Sequence, residues 1–217
     1  MSAFTKDTLV MGLPAGKIAG VVDAEGSVFA KDCYEALLAI AQTMRDMTES
    51  GRFGSSLEKV LKVHFCKGNE SYHPRCLDAV EDVFVKGILR NPDWKIYQFR
   101  SYAKYSVGQG QPDTEKLSPL FEKYQYLGKD GISDRWGHFY FGKKRIYRVQ
   151  IGAYRLRSNA QRLYARMKEE GIDCIISSSG GVYRVQAAAF FSKENAENYK
   201  NTLKKKGFSD AFVVSGF

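Results

Sequence analysis

The feature that most constrains this chain is that it repeats itself. Tyr147–Gln150 reads Tyr-Arg-Val-Gln, and the same four residues return at Tyr183–Gln186, a shift of 36 residues. The residues after each copy repeat as well. Ser158 and Ser192 stand where helix caps are expected, with Gln161 completing a capping box in the first copy. Ala160, Leu163, Tyr164 and Met167 form one helical stripe, and Ala196, Tyr199 and Leu203 its counterpart. Gly171 and Gly207 stop the two helices, and Cys174–Ile176 and Phe212–Val214 read as short buried strands. Each unit is therefore β-α-β. Two copies predict a βαββαβ domain: a four-stranded antiparallel sheet with two helices on one face. Alternation puts Tyr147, Val149 and Ile151 on the helix side, leaving Arg148, Gln150, Arg184 and Gln186 on the open face or at its edge. That repeated Arg/Gln pair is either a solvated sheet face or a binding surface.

Charge follows the same division. Residues 1–143 hold 19 Lys+Arg against 18 Asp+Glu, and residues 144–217 hold 14 against 6. The basic excess belongs to the tail, which suits an anionic polymer. Wall glycan without its stem peptides, which exposes a lactyl carboxylate on alternate sugars, fits that description, as does nucleic acid.

On the paired Tyr-Arg-Val-Gln strands, the βαββαβ order and the Gly207–Val214 ending, residues 144–217 resemble the SPOR (sporulation-related repeat) domain. The resemblance implies binding of peptidoglycan, with a preference for glycan lacking stem peptides, on the exposed sheet face. It assigns glycan contacts to Arg148, Gln150, Arg184 and Gln186. An RNA-binding reading of the same topology lacks the aromatic strand motif that stacks bases, so nucleic acid is not the expected partner.

The front domain, residues 1–143, reads as mainly helical. Residues 15–25 form a short helix with Ile18, Val21, Val22 and Glu25 on one face and Asp23 elsewhere. A carboxylate on the core side is either a buried, Arg-paired group or a general acid whose pKa is raised by desolvation. Arg45 and Arg52 are the candidate partners in the first case. Tyr34–Glu49 is an amphipathic helix on Leu37, Ile40, Ala41, Met44 and Thr48. A third helix is expected from Pro74 to Arg90, stopped by Asn91-Pro92. Trp94–Arg100 alternates like a strand, residues 103–119 read as a loop, and Gly137–Phe141 closes the domain.

Val22–Gly26, the Leu37–Arg45 helix, the following Ser-Gly-Arg-Phe turn and Gly137–Tyr140 together resemble the spore-cortex-lytic type of cell wall hydrolase. Ser27-Val28 stands where that family has Arg-Gly, and Met44 where it has Asn. The resemblance implies a lysozyme- or transglycosylase-like fold with Glu25 as catalytic acid and base, cleaving glycan between MurNAc and GlcNAc. It requires no cofactor. Tyr97, Gln98, Phe99, His138 and Tyr140 are the expected sugar contacts, and Asp32, Glu35 and Glu70 the candidates for any second carboxylate. A non-catalytic wall-targeting protein is the alternative of a different class.

His64, Cys66, His73 and Cys76 offer four zinc-competent groups in a spacing unlike common zinc motifs. The set admits a zinc site, a Cys66–Cys76 disulfide or free thiols, and no metal is the expectation. No run of about 18 apolar residues spans a membrane. The first residues lack a secretory signal, so the chain is expected at the bacterial wall either through holin-type release, as in a phage endolysin, or after trimming of an export signal.

Overall fold

A computed structural model describes residues 3–133 and 135–217. It divides into two compact units, Met1–Lys144 and Arg145–Phe217. No helix among the described residues is long and apolar enough to cross a membrane.

The front unit opens with a small hairpin, β1 (Leu9–Val10) and β2 (Leu13–Pro14), which leads into α1 (Ala15–Gly26). A single 3-10 turn, Ser27–Phe29, precedes the central helix α2 (Tyr34–Ser50), which ends at left-handed Gly51. Helices α3 (Leu57–His64) and α4 (Pro74–Glu81) follow. The predicted helix to Arg90 does not run that far. After α4 the backbone widens into a π turn over Asp82–Lys86 and stops at Gly87, whose φ of 70° ends the helical path.

The remainder of this unit is β3 (Trp94–Ser101), short helices α5 (Tyr102–Tyr105) and α6 (Ser118–Lys123), β4 (Gln125–Gly131) and β5 (Gly137–Lys144). The three strands form an antiparallel sheet in the order β3-β5-β4. The front unit is thus helices laid on a sheet, and not the mainly helical body expected from its sequence.

Helix α2 explains why. Its apolar side, Leu37, Ile40, Ala41 and Met44, packs with Ile18 and Val22 of α1 and Val80 of α4. Its other side is not left to solvent. Ala39 meets Ile96, Leu127 and Tyr140 of the sheet, and Gln42, Thr43 and Asp46 one and two turns along are buried as well. Thr43 donates back to the Ala39 carbonyl of its own helix, whereas Gln42 and Asp46 serve β3, an edge strand whose outer backbone groups need partners. Asp46 accepts from the Ile96 N–H at 2.9 Å. Gln42 donates to the carbonyls of Asn91 at 3.1 Å and Trp94 at 2.9 Å, and accepts from the Asn91 N–H. Asp46, 1% exposed, also receives Arg45 at 2.9 Å and Lys95 at 3.2 Å.

The tail unit runs β6 (Ile146–Tyr154), α7 (Arg157–Glu169), β7 (Cys174–Ser179), β8 (Val182–Phe190), α8 (Lys193–Lys205), β9 (Phe212–Gly216). The four strands form an antiparallel sheet in the order β7-β8-β6-β9. Val149, Ile151, Val185 and Ala187 face Ala160, Met167 and Leu203 of the helices in one core. Ser192 caps α8 by accepting from the Asn195 N–H. Ser158 does not cap α7, because that helix already begins at Arg157 with Leu156 ahead of it.

Removing one partner of a buried, multiply bonded charge strands the others, at about 3–5 kcal/mol. Asp46→Ala should therefore destabilise the front unit by about that amount, and Asp46→Asn by less. Urea unfolding followed by fluorescence reads this unit alone, since both tryptophans, Trp94 and Trp136, lie in it. An unchanged midpoint in Asp46→Ala would show that β3 is held by other means.

Candidate functional site

The front unit holds a cleft of about 350 Å³ between the end of α1, α2, the end of α3 and β3. Glu25 lines it together with Tyr97, Gln98 and Phe99, so four of the expected site residues share one cavity. Thr43, His64, Phe65, Cys66 and Arg100 complete much of the wall. The sequence marks His64 only as a zinc candidate. Arg100 was legible as the next polar residue after Gln98 along the alternating strand.

Glu25 does not sit on the core face. It is half-buried, and the enclosed carboxylate of α1 is Asp23, 7% exposed. Asp23 accepts from the Asn69 side chain at 2.8 Å and the His73 N–H at 3.0 Å, and Cys76 Sγ lies at 3.6 Å. These bonds strap the segment from Phe65 to His73 across α1. The Asn69 N–H also reaches the Gly20 carbonyl at 2.9 Å. A Cβ on Gly20 would lie 2.2 Å from the Asn69 carbonyl oxygen, so only glycine permits this approach. The strapped segment then delivers the Cys66 N–H to Glu25 Oε1 at 2.6 Å. The nearby Glu25 carboxylate raises the pKa of the Cys66 thiol above its ordinary value. Neither Arg45 nor Arg52 is its partner; Arg45 is bound to Asp46 and Glu49.

Strand β3 carries the opposite wall. Its pairing with β5 slips between Ile96 and Gln98, a bulge that breaks strict alternation. Tyr97, Gln98, Phe99 and Arg100 all contribute to the cleft as a result. Gln98 accepts from Arg100 at 2.9 Å, which fixes its amide. Tyr97 stacks at a tilt between Phe53 and Tyr124.

His138 and Tyr140 are not cleft residues. They lie on β5, the middle strand, where both faces are covered, and they support Phe99 from below. The His138 ring is 4.8 Å from Phe99 and 5.1 Å from Phe29. Asp32 and Glu35 are exposed away from the cleft, and Glu70 lines a neighbouring cavity. Glu25 is the one carboxylate among the described residues lining the cleft.

The four zinc-competent residues do not converge, and no group of three or more metal-binding side chains occurs among the described residues. Cys76 is buried against Asp23, and burial with that carboxylate pushes its thiol up to about 12. His64 Nε2 lies 3.1 Å from the Phe53 carbonyl. Cys66 and Cys76 are both free thiols.

In the tail, register brings the repeated glutamines together. Phe212 pairs with Gln150, Gln150 with Gln186, and Gln186 with Ile175, one row across all four strands. Phe212 and Ile175 at its ends are 48% and 53% exposed. Gln150 itself is buried at 7%, contrary to the displayed position expected for it. Arg148, Arg184 and Gln186 are half-buried on the same face, and Arg184 donates to the Ser179 and Val182 carbonyls.

Residues 143–215 match the family model described as SPOR domain. No curated protein matches the chain. Among solved structures, the solution structure of the peptidoglycan binding domain of the B. subtilis cell wall lytic enzyme CwlC is 37% identical. The alignment covers 35% of this chain and 95% of that one, with a TM-score of 0.32.

Beneath the cleft, burial pushes His138 down to about 4 and lifts the Asp130 carboxyl to about 6, the nearby Tyr140 hydroxyl offsetting only part of that rise. The two slopes oppose each other. The lowered imidazole gives stability that is whole above 6.5 and lost as pH falls toward 4. The raised carboxyl gives stability that is whole below 3.8 and lost as pH rises toward 6. Asp130→Asn removes the second slope and leaves the first. Between roughly pH 6.5 and 4.5 this variant should lose on the order of 2 kcal/mol more than the parent. Equal acid losses in urea titrations of the two proteins would contradict this assignment.

Proposed function

With residues 143–215 a SPOR domain, we propose that the chain is a peptidoglycan-cleaving enzyme held on wall glycan by its tail. The observation that carries this reading is the cleft in which Glu25 faces Tyr97, Gln98 and Phe99 as the one lining carboxylate. Aromatic faces and a fixed amide suit pyranose rings and N-acetyl groups, and a single carboxylate suits one kind of glycan chemistry.

Glu25 donates its proton to the oxygen joining MurNAc C1 to the next GlcNAc, and that C–O bond breaks. The MurNAc 6-hydroxyl then attacks C1 and returns its proton to Glu25, leaving a 1,6-anhydro end and a free GlcNAc 4-hydroxyl. No water is consumed and the carboxyl is restored. Two-carboxylate glycosidases need a second acid about 5–9.5 Å away, and among the described residues no second carboxylate lines this cleft. The lytic transglycosylase outcome is therefore favoured over the muramidase outcome. Cys66, through its backbone N–H, orients the carboxylate without entering the reaction.

In the tail, Arg148 and Arg184 suit lactyl carboxylates exposed where stem peptides have been removed, and Gln186 suits an N-acetyl amide, with Gln150 buried beside it in the same row. The place of action is accordingly the bacterial cell wall.

Two measurements test the reading. Glu25→Gln should lower release of soluble fragments from purified peptidoglycan by about 10²–10⁴-fold, and mass spectrometry of the parent digest should find anhydro-MurNAc ends. Reducing MurNAc ends would make the enzyme a muramidase, and free stem peptides would sink glycan cleavage altogether. Separately, Arg148→Ala with Arg184→Ala should weaken retention on stem-free glycan by about tenfold or more, with the parent's retention falling as salt rises. Salt-insensitive binding would point away from lactyl carboxylates.

A further inference from the structure

Beside the cleft lies a second, larger cavity of about 600 Å³. Cys66 lines both cavities, so the larger one begins one residue from the Glu25 carboxylate. Its floor is apolar, with Leu13, Val21, Leu61 and the Tyr72 ring. Its rim is basic. Lys17 is tied to Glu58 at 3.5 Å, whereas Lys6, Lys62 and Lys67 have no carboxylate partner among the described residues. Glu70 and Asp7 also reach the rim.

We propose that this cavity holds the peptide stem of the MurNAc whose bond Glu25 breaks, a deepening that rests on the reading of the cleft given above. The stem leaves MurNAc through the lactyl group, on the same sugar ring as the scissile C1. Any peptide present must therefore exit the cleft within one residue of the acid. Such a stem is short, carries alanine methyls, several carboxylates and one free amine. The methyls match the apolar floor, the carboxylates match Lys6, Lys62 and Lys67, and the amine matches Glu70 or Asp7. A volume of this size also suits a bound ligand of a few residues. The two units then read different features of one polymer: the front unit accommodates a stem where one remains, and the tail holds where stems are gone.

The probe is soluble MurNAc-tetrapeptide added to the full chain carrying Glu25→Gln, with MurNAc alone as control, followed by amide NMR. The peptide-bearing sugar should shift the amides of Leu61, Lys62, Lys67 and Gly68, and MurNAc alone should not. Lys62→Glu with Lys67→Glu should weaken that binding by about tenfold while leaving cleavage of stem-free glycan by the otherwise unchanged enzyme at its parent rate. Shifts absent from these amides, or equal affinity in the double variant, would overturn the proposal even if Glu25 proves to be the acid. Shifts at these amides in a protein whose parent cleaves no glycan would keep the stem-binding cavity and discard the cleavage reading.

Discussion

The arrangement of the front unit depends on one buried carboxylate, Asp46. Enclosing a charge costs several kcal/mol unless its lone pairs are all engaged. Here they are engaged by the Ile96 N–H, the Gln42 amide, Arg45 and Lys95. The same bonds give an edge strand the partners that it would otherwise lack. They also fix β3 at Ile96, immediately before its pairing with β5 slips. The bulge is thus positioned by the helix beside it, and the residues after it, Tyr97 to Arg100, become the wall of the cleft. A structural ion pair and a cleft wall are two ends of one constraint.

A second carboxylate performs the matching task on the other wall. Asp23 binds Asn69 and His73, Gly20 lets the backbone of that segment lie against α1, and Cys66 arrives at Glu25. The two acids of α1 are two residues apart yet have different surroundings. Asp23 is spent on holding a strap, and Glu25 is left at the mouth of a cavity. That division explains how the Glu25 carboxylate is both held in place and reachable.

The tail was legible almost in full because its information is local and stated twice. The repeated Tyr-Arg-Val-Gln run marks both strands and their faces, and only small details within that outline escaped. Ser158 lies inside α7 because the helix starts before it, and Gln150 is buried by its place on a central strand of the sheet. The front unit was harder for a physical reason. The polar residues Gln42, Thr43 and Asp46 look solvent-facing by helical periodicity, and only a strand distant in sequence reveals that they are covered. The same blindness exchanged Asp23 with Glu25: helical phase tells which residues share a face, but not which face meets a strap from residues 65–73. His138 and Tyr140 carried the right residue types for sugar contacts, yet their place on the middle strand put them beneath Phe99.

The uneven charge of the chain takes on a specific meaning in this light. On the proposed reading the front unit must bind a strand, break it and let both products go. Strong net attraction to an anionic polymer would slow that last step, and the near balance of 19 basic against 18 acidic residues in residues 1–143 avoids it. Recognition there falls to ring stacking, a fixed amide and a rim of mixed sign, which act only at contact. The tail faces the opposite demand, since it has no product to release. Its 14 basic against 6 acidic residues act over a distance limited to about 8 Å in physiological salt. On the same proposed reading, that range is enough to keep the chain on the wall without adding to the hold of the cleft on its products.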